Sequence, residues 1–150
     1  MGIDQFRSFL RRHRRIALDT GIFICQLEAS PRYVALSDAV FSWIERPGVG
    51  AVTSTITMTE LLVQPYRDGD QNRADEFYAL LSTYPHLEWI APNLEIADEA
   101  ARLRALHRIK TPDALQAATA LQSGATAMVT NDPVFARLDA LETAVLDRFV

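Results

Sequence analysis

One cysteine, Cys25, stands among the 150 residues, and that scarcity removes several classes of protein at once. No internal disulfide can form, and no multi-cysteine zinc site can assemble. Cys25 follows Ile22-Phe23-Ile24, an apolar setting that favours a buried, inert thiol over a nucleophile. A reducing, cytoplasmic compartment is the expectation. Long apolar runs are missing too. None reaches the roughly 18 residues of a membrane span, and Asp19 interrupts the run that follows the N-terminal arginines, which argues against a secretion signal. Phe6 occupies the position where N-myristoylation expects Ser or Thr. An excess of positive charge is also lacking: the net charge of −4 argues against a generally basic nucleic-acid binder. It leaves Arg11-Arg12-His13-Arg14-Arg15 as one local basic surface, either a solvated flank or an attractor of phosphates.

Hydrophobic residues at 49% and charged residues at 23% describe a soluble globular chain. Its length suits one domain that buries about two-thirds of its extended-chain surface. Residues 1–15 read as a basic N-terminal extension with a short helix over 3–12, and residues 16–150 as the domain proper. Strands are expected at Ile16-Ala17-Leu18, 51–54, 87–90, 127–130 and 143–146. Between them the apolar spacing predicts helices over 21–28, from Pro31 to Ile44, around Glu60, over 71–83, over 93–107 and from Thr111 to Ser123, with a short one at 133–138. The apolar face of the 93–107 helix reads as Leu94, Ala97, Ala101, Leu103 and Leu106. Alternating strands and helices indicate an α/β fold, a single domain whose central, largely parallel sheet of four to five strands is flanked by helices.

Four acidic patterns carry the chemistry: Leu18-Asp19-Thr20, Thr57-Met58-Thr59-Glu60-Leu61, Thr111-Pro112-Asp113-Ala114-Leu115 and Val129-Thr130-Asn131-Asp132. Each has a local explanation. Asp19 suits a turn, Thr57 and Glu60 a capping box, Asp113 the first turn of a helix, and Asn131 or Asp132 a helix cap. Yet all four sit among apolar neighbours, and Asp19 and Asp132 directly follow strands, where the crevice of an open α/β sheet lies. Carboxylates brought together there cannot all stay ionised without compensation. Hard, water-retaining cations, Mg²⁺ or Mn²⁺, suit such a set, and a bound water can then attack a phosphoryl group with no histidine base. His13, His86 and His107 all lie outside these patterns.

At these residues, and over about 15–147, the sequence resembles the PIN-domain ribonucleases, most closely the VapC-type toxins of prokaryotic toxin–antitoxin pairs. The run from Thr111 to Ala120, followed by Val129-Thr130-Asn131-Asp132, is specific in combination. The resemblance implies Mg²⁺ or Mn²⁺ binding and endonucleolytic hydrolysis of RNA phosphodiesters. Asp19, Asp113 and Asp132 are then expected as direct metal ligands, with Glu60 binding through water or orienting the attacking water. Thr20, Thr130 and Asn131 are expected to support the site. Arg67, Arg108 and Lys110 are candidates for the phosphate backbone, against the plainer role of solvated helix-surface charges. A small antitoxin protein and a second copy of the chain are the partners implied, with the helices at 34–44 and 56–63 as the dimer surface, although a core-facing stripe has the same pattern. Pro133-Val134-Phe135 departs from the family by replacing charged residues after the last acid.

Three other readings compete. One is a PIN-like module that binds RNA or protein without turnover. Another is a PIN nuclease of RNA processing that has no antitoxin. The third is a phosphoryl-transfer α/β enzyme with an aspartyl nucleophile, weakened because Asp19-Thr20-Gly21 carries no second Asp two positions on and no acidic pair accompanies Asp19.

Overall fold

The computed structural model describes residues 2–150. Five strands form one sheet: β1 (Arg15–Leu18), β2 (Gly50–Ser54), β3 (Leu87–Ile90), β4 (Ala127–Thr130) and β5 (Glu142–Val145). Their spatial order is β3-β2-β1-β4-β5, and every pair is parallel. Parallel neighbours require crossovers, and the helices expected from the sequence supply them. Helix α1 (Ile3–Arg11) precedes β1; the crossovers hold α2 (Thr20–Leu27) with α3 (Val34–Ile44), α4 (Ile56–Arg67) with α5 (Gln71–Ser82), and α6 (Leu94–His107) with α7 (Thr111–Gln122). The short helix expected at 133–138 is a 3₁₀ turn over Pro133–Arg137. Gly69 and Gly124 end α4 and α7 with φ of +65° and +79°, a conformation that carries no steric penalty in glycine.

The two-residue period of a strand divides the core into two layers. Ile16 and Leu18 of β1 face one side with Val129, where α1, α2 and α3 pack. Ala17 faces the other with Val52 and Met128, covered by α6 and α7. The second layer is built from small side chains. Ala114, Ala117, Ala118 and Ala120 are fully buried and let α7 lie close against the sheet.

Two sequence expectations change here. On α6 the buried face is Ile96, Ala100 and Leu103, whereas Leu94 and Leu106 are 88% and 76% exposed. Ala97 and Ala101 are small enough to read as either face, and the seat of Ile96 and Ala100 in the alanine-rich layer selects the alternative rotation. On α3, Leu36, Val40, Phe41 and Ile44 are internal, so this helix spends its apolar stripe on the core rather than on a dimer surface. Beyond Leu94 and Leu106 of α6, exposed apolar side chains lie on α2, α4 and α5, at Ile24, Val63, Tyr66, Tyr78 and Leu80.

The N-terminal segment forms the expected helix and contributes Phe6, Phe9 and Leu10 to the first core layer. Phe6 is fully buried, its ring edge-on to Phe149 at 5.1 Å. Truncating it leaves a cavity that the flanking helices cannot fill. Phe6→Ala is therefore expected to destabilise the protein by about 3 kcal/mol or more, read by urea denaturation. A loss within ordinary surface scatter would show that α1 is dispensable to the core.

Candidate metal centre and active site

The sheet reverses its build direction between β1 and β4: the chain adds β2 and β3 on one side of β1, then β4 and β5 on the other. A crevice opens at the carboxyl end of such a switch point. Asp19 lies at its lip immediately after β1, and Asp132 two residues after β4. Glu60 reaches the same edge from the second turn of α4, and Asp113 from the first turn of α7. The topology thus converges all four acids, although they span more than a hundred positions in the chain.

Asp19 is the buried member, 8% exposed. Its backbone caps α2, and its Oδ1 accepts the Gly21 N–H at 3.1 Å. Its Oδ2 accepts the Thr130 hydroxyl. The same Thr130 oxygen accepts the Asp132 N–H at 2.9 Å, so one hydroxyl ties the first and last acids together. Burial is the main force on Asp19 and pushes its pKa up to about 7; the Thr130 and Gly21 hydrogen bonds oppose it, and the charges of Asp113 and Asp132 add to it. Asp113 is also raised, first by partial burial, then by Asp132 and Glu60, with Lys110 pulling it back. Asp132 and Glu60 are solvent-exposed. Asp132 additionally caps the 3₁₀ turn through the Val134 N–H at 2.9 Å.

Glu60 does not close a capping box with Thr57. The first residue of α4 is Ile56, whose N–H donates to Ser54 Oγ at 3.2 Å, so Thr57 falls inside the helix and is fully buried. Glu60 instead accepts the Thr20 hydroxyl at 2.6 Å, which fixes Thr20 as an orienting group for this carboxylate. Beneath them runs a polar network that sequence reasoning passed over. Thr53 donates to the Leu18 carbonyl at 2.8 Å and stands 2.8 Å from Thr57 Oγ1, which accepts Gln116 Nε2 at 2.7 Å. The Thr53 and Thr20 protons are committed to Leu18 and Glu60, so Thr57 donates to Thr53, and its 3.3 Å approach to Thr20 carries no proton. The available signal was Gln116, a polar residue among the alanines of α7.

The remaining expected residues divide. Asn131 turns from the acids and accepts the Asp147 N–H at 3.1 Å, pinning the loop after β4 to the C-terminal segment. Lys110 precedes α7 and acts electrostatically on Asp113. Arg108 closes α6 in a left-handed conformation, and Arg67 ends α4, a full two turns from Glu60; both are exposed, and neither pairs with the acidic set among the described residues. Arg73, not anticipated, lines a cleft of about 70 Å³ with Glu60 and Phe77. Cys25 is buried, and burial together with the nearby charges of Asp19 and Glu28 pushes its thiol pKa up, which leaves it a poor nucleophile.

Does this set fit a divalent cation? Its donors are all hard oxygens, and its most buried member is compensated by a hydroxyl and an amide rather than by a positive side chain. That is the chemistry Mg²⁺ and Mn²⁺ suit. Among the described residues no three such groups close into a finished ligand cage. Mg²⁺ and Mn²⁺ are commonly held by one or two carboxylates, with waters completing the shell, so a finished cage is not required. The residues fit.

Comparison with known proteins places the chain. A family model, described as PIN domain, matches residues 16–141, and the chain belongs to that family. No curated protein matches the sequence. Solved structures share the fold. VapBC-1 from nontypeable Haemophilus influenzae is 22% identical, with a TM-score of 0.69 over 89% of this chain and 98% of that one. A DNA-bound VapBC from Salmonella typhimurium is 20% identical, with a TM-score of 0.67 over 87% and 96%. VapC20 of Mycobacterium tuberculosis, a toxin that cleaves the sarcin-ricin loop, is 16% identical, with a TM-score of 0.59 over 75% and 86%.

The strain at Asp19 has a measurable sign. Its folded pKa near 7 exceeds the ordinary 3.8, so the folded state holds this proton more tightly than the unfolded chain does. Its stabilising contribution is full below about pH 4 and is lost as pH rises through about 7. In chelator-treated protein at pH 8, Asp19→Asn is expected to raise unfolding free energy by roughly 2–4 kcal/mol and to flatten the pH dependence. Denaturant titration checks this. A variant no more stable than the wild type would remove the account of Asp19 as a buried charge.

Proposed function

We propose that this chain is a metal-dependent endoribonuclease, the toxin of a toxin–antitoxin pair, acting in the cytoplasm on RNA. The observation that carries the reading is the convergence of Asp19, Glu60, Asp113 and Asp132 at the switch point of a PIN fold, with Asp19 and Asp113 raised by burial and by their acidic neighbours. Membership of the family and the fold shared with VapBC structures support it. VapC20, a toxin that cleaves the sarcin-ricin loop, gives the cleavage chemistry a parallel in the same fold.

Asp19, Asp113 and Asp132 would hold Mg²⁺ or Mn²⁺, with Glu60 reaching it through water. When bound, the cation supplies a nucleophilic water and neutralises charge on the phosphoryl oxygens. The protein's part is positional. Thr130 locks the Asp19 carboxylate and the Asp132 backbone in one register. Thr20 holds one oxygen of Glu60, which leaves the other to orient a water. Lys110 stands beside Asp113, where it can receive a phosphate. No helix among the described residues is long and apolar enough to cross a membrane. The exposed apolar side chains of α2, α4 and α5 offer surface for an antitoxin segment and for a second copy of the chain.

Induced expression of the native chain is expected to arrest growth, and Asp19→Asn and Asp132→Asn to relieve the arrest. Purified native protein should cleave RNA only with Mg²⁺ or Mn²⁺, each variant losing at least roughly a hundredfold. Coexpression of a cognate antitoxin protein should restore growth. Arrest that persists undiminished in both variants would exclude a catalytic toxin.

A further inference from the structure

The structure separates the Arg11–Arg15 segment into two groups of unlike role. Arg12 pairs with Glu142 and lies over the Phe9 ring; His13 contacts Thr126 and stands 3.1 Å from Glu142. Arg15 donates to the Ser123 carbonyl at 2.8 Å and pairs with Glu88. These three are structural. Arg11 and Arg14 turn the other way, toward a surface they share with Arg7 of α1 and with Arg46 just beyond α3.

Two adjoining depressions of about 360 and 450 Å³ lie there, and Arg11, Trp43 and Arg46 border both. Asp38 is the only acid lining them, and it is engaged by the Gln26 amide at 2.8 Å. Arg14 and Arg46 have no carboxylate partner among the described residues. Arg11 bonds only Ser8 Oγ, and Arg7 reaches Asp4 at 3.7 Å in a pair too exposed to hold it. Arg7 and Arg11 are one turn apart on α1, so their guanidinium groups project side by side. Four cations therefore crowd one groove of a protein whose net charge is −4. Guanidinium forks match phosphate oxygens geometrically. Trp43 forms the floor but is itself buried, so no aromatic face is offered for base stacking.

We infer that this groove binds the phosphodiester backbone of the RNA at a distance from the scissile bond, without reading its sequence. The inference rests on the ribonuclease reading for the identity of the polyanion. β1 runs between the two places: Arg14 precedes it and Asp19 follows it, a span of roughly 15 Å along the strand. An RNA engaged at both must wrap from the amino edge of the sheet to its carboxyl edge. Four acids at the carboxyl edge repel a polyanion until a cation is bound, and the arginine groove adds attraction away from them.

Fluorescence anisotropy with labelled single-stranded polyuridine RNA tests this, using Asp19→Asn protein so that binding is read without cleavage. Replacing all four groove residues (Arg7→Ala, Arg11→Ala, Arg14→Ala, Arg46→Ala) is expected to weaken binding at least roughly tenfold at low salt and to reduce the log–log salt slope by about 2 to 3. The matching Arg→Lys set should restore most of the slope, and Arg102→Ala, on the far helix α6, should change neither quantity. Unchanged affinity and slope in the alanine set would overturn the inference. So would displacement of the RNA by polyglutamate peptide at equal charge, which would mark a site for an acidic protein. The two readings fail separately: cleavage by the native chain with groove-independent binding removes only the groove, and groove-dependent binding without metal-dependent cleavage removes only the nuclease.

Discussion

Placing a carboxylate at the buried end of a central strand is the constraint around which this molecule is arranged. Asp19 must end β1 because only there does the sheet reverse direction and leave a crevice. Yet the position is almost closed to water, and an uncompensated charge is costly there. The Gly21 amide and the Thr130 hydroxyl offset part of that cost. The remainder appears as a carboxyl that resists ionisation. Stability is given up locally for a negatively biased socket.

The surrounding hydroxyls make that socket geometrically definite. Thr130 couples two acids from different strands, and Thr20 couples a third from α4 to the first turn of α2. Thr53, Thr57 and Gln116 lie beneath, all nearly fully buried, and link β1, β2, α4 and α7 into one hydrogen-bonded unit. A buried polar group left unpaired would cost about 1–3 kcal/mol, so this network rewards one relative placement of the elements that carry the acids. The local roles of cap and turn are real as well: Asp19 and Asp132 both cap helices while facing the crevice.

Charge is segregated along the strand axis. The carboxyl edge of the sheet gathers four acids with Lys110 and Arg73 as near cations; Arg11, Arg14 and Arg46 lie toward the amino edge, with Arg7 one turn further along α1. Such polarity would orient a polyanion approaching the proposed site. The N-terminal helix serves both ends of this arrangement, since one face fills the core with Phe6 and Leu10 while the other carries arginines.

The order of strands and helices was legible from the chain because period-two and helical spacing, glycine stops and apolar runs are local properties, as at Gly69, Gly124 and Ile16-Ala17-Leu18. The four acids were legible because polar residues in apolar settings need a reason. What local pattern could not decide was orientation. The rotation of α6, the burial of the α3 stripe, the diversion of Glu60 from Thr57 to Thr20, the turning of Asn131 toward Asp147 and the division of the arginine segment all depend on what stands opposite each side chain. Sequence alone determined which residues carry charge and which segments form strands and helices. The tertiary structure decided their partners, because burial and hydrogen bonding are settled between segments that the chain holds far apart.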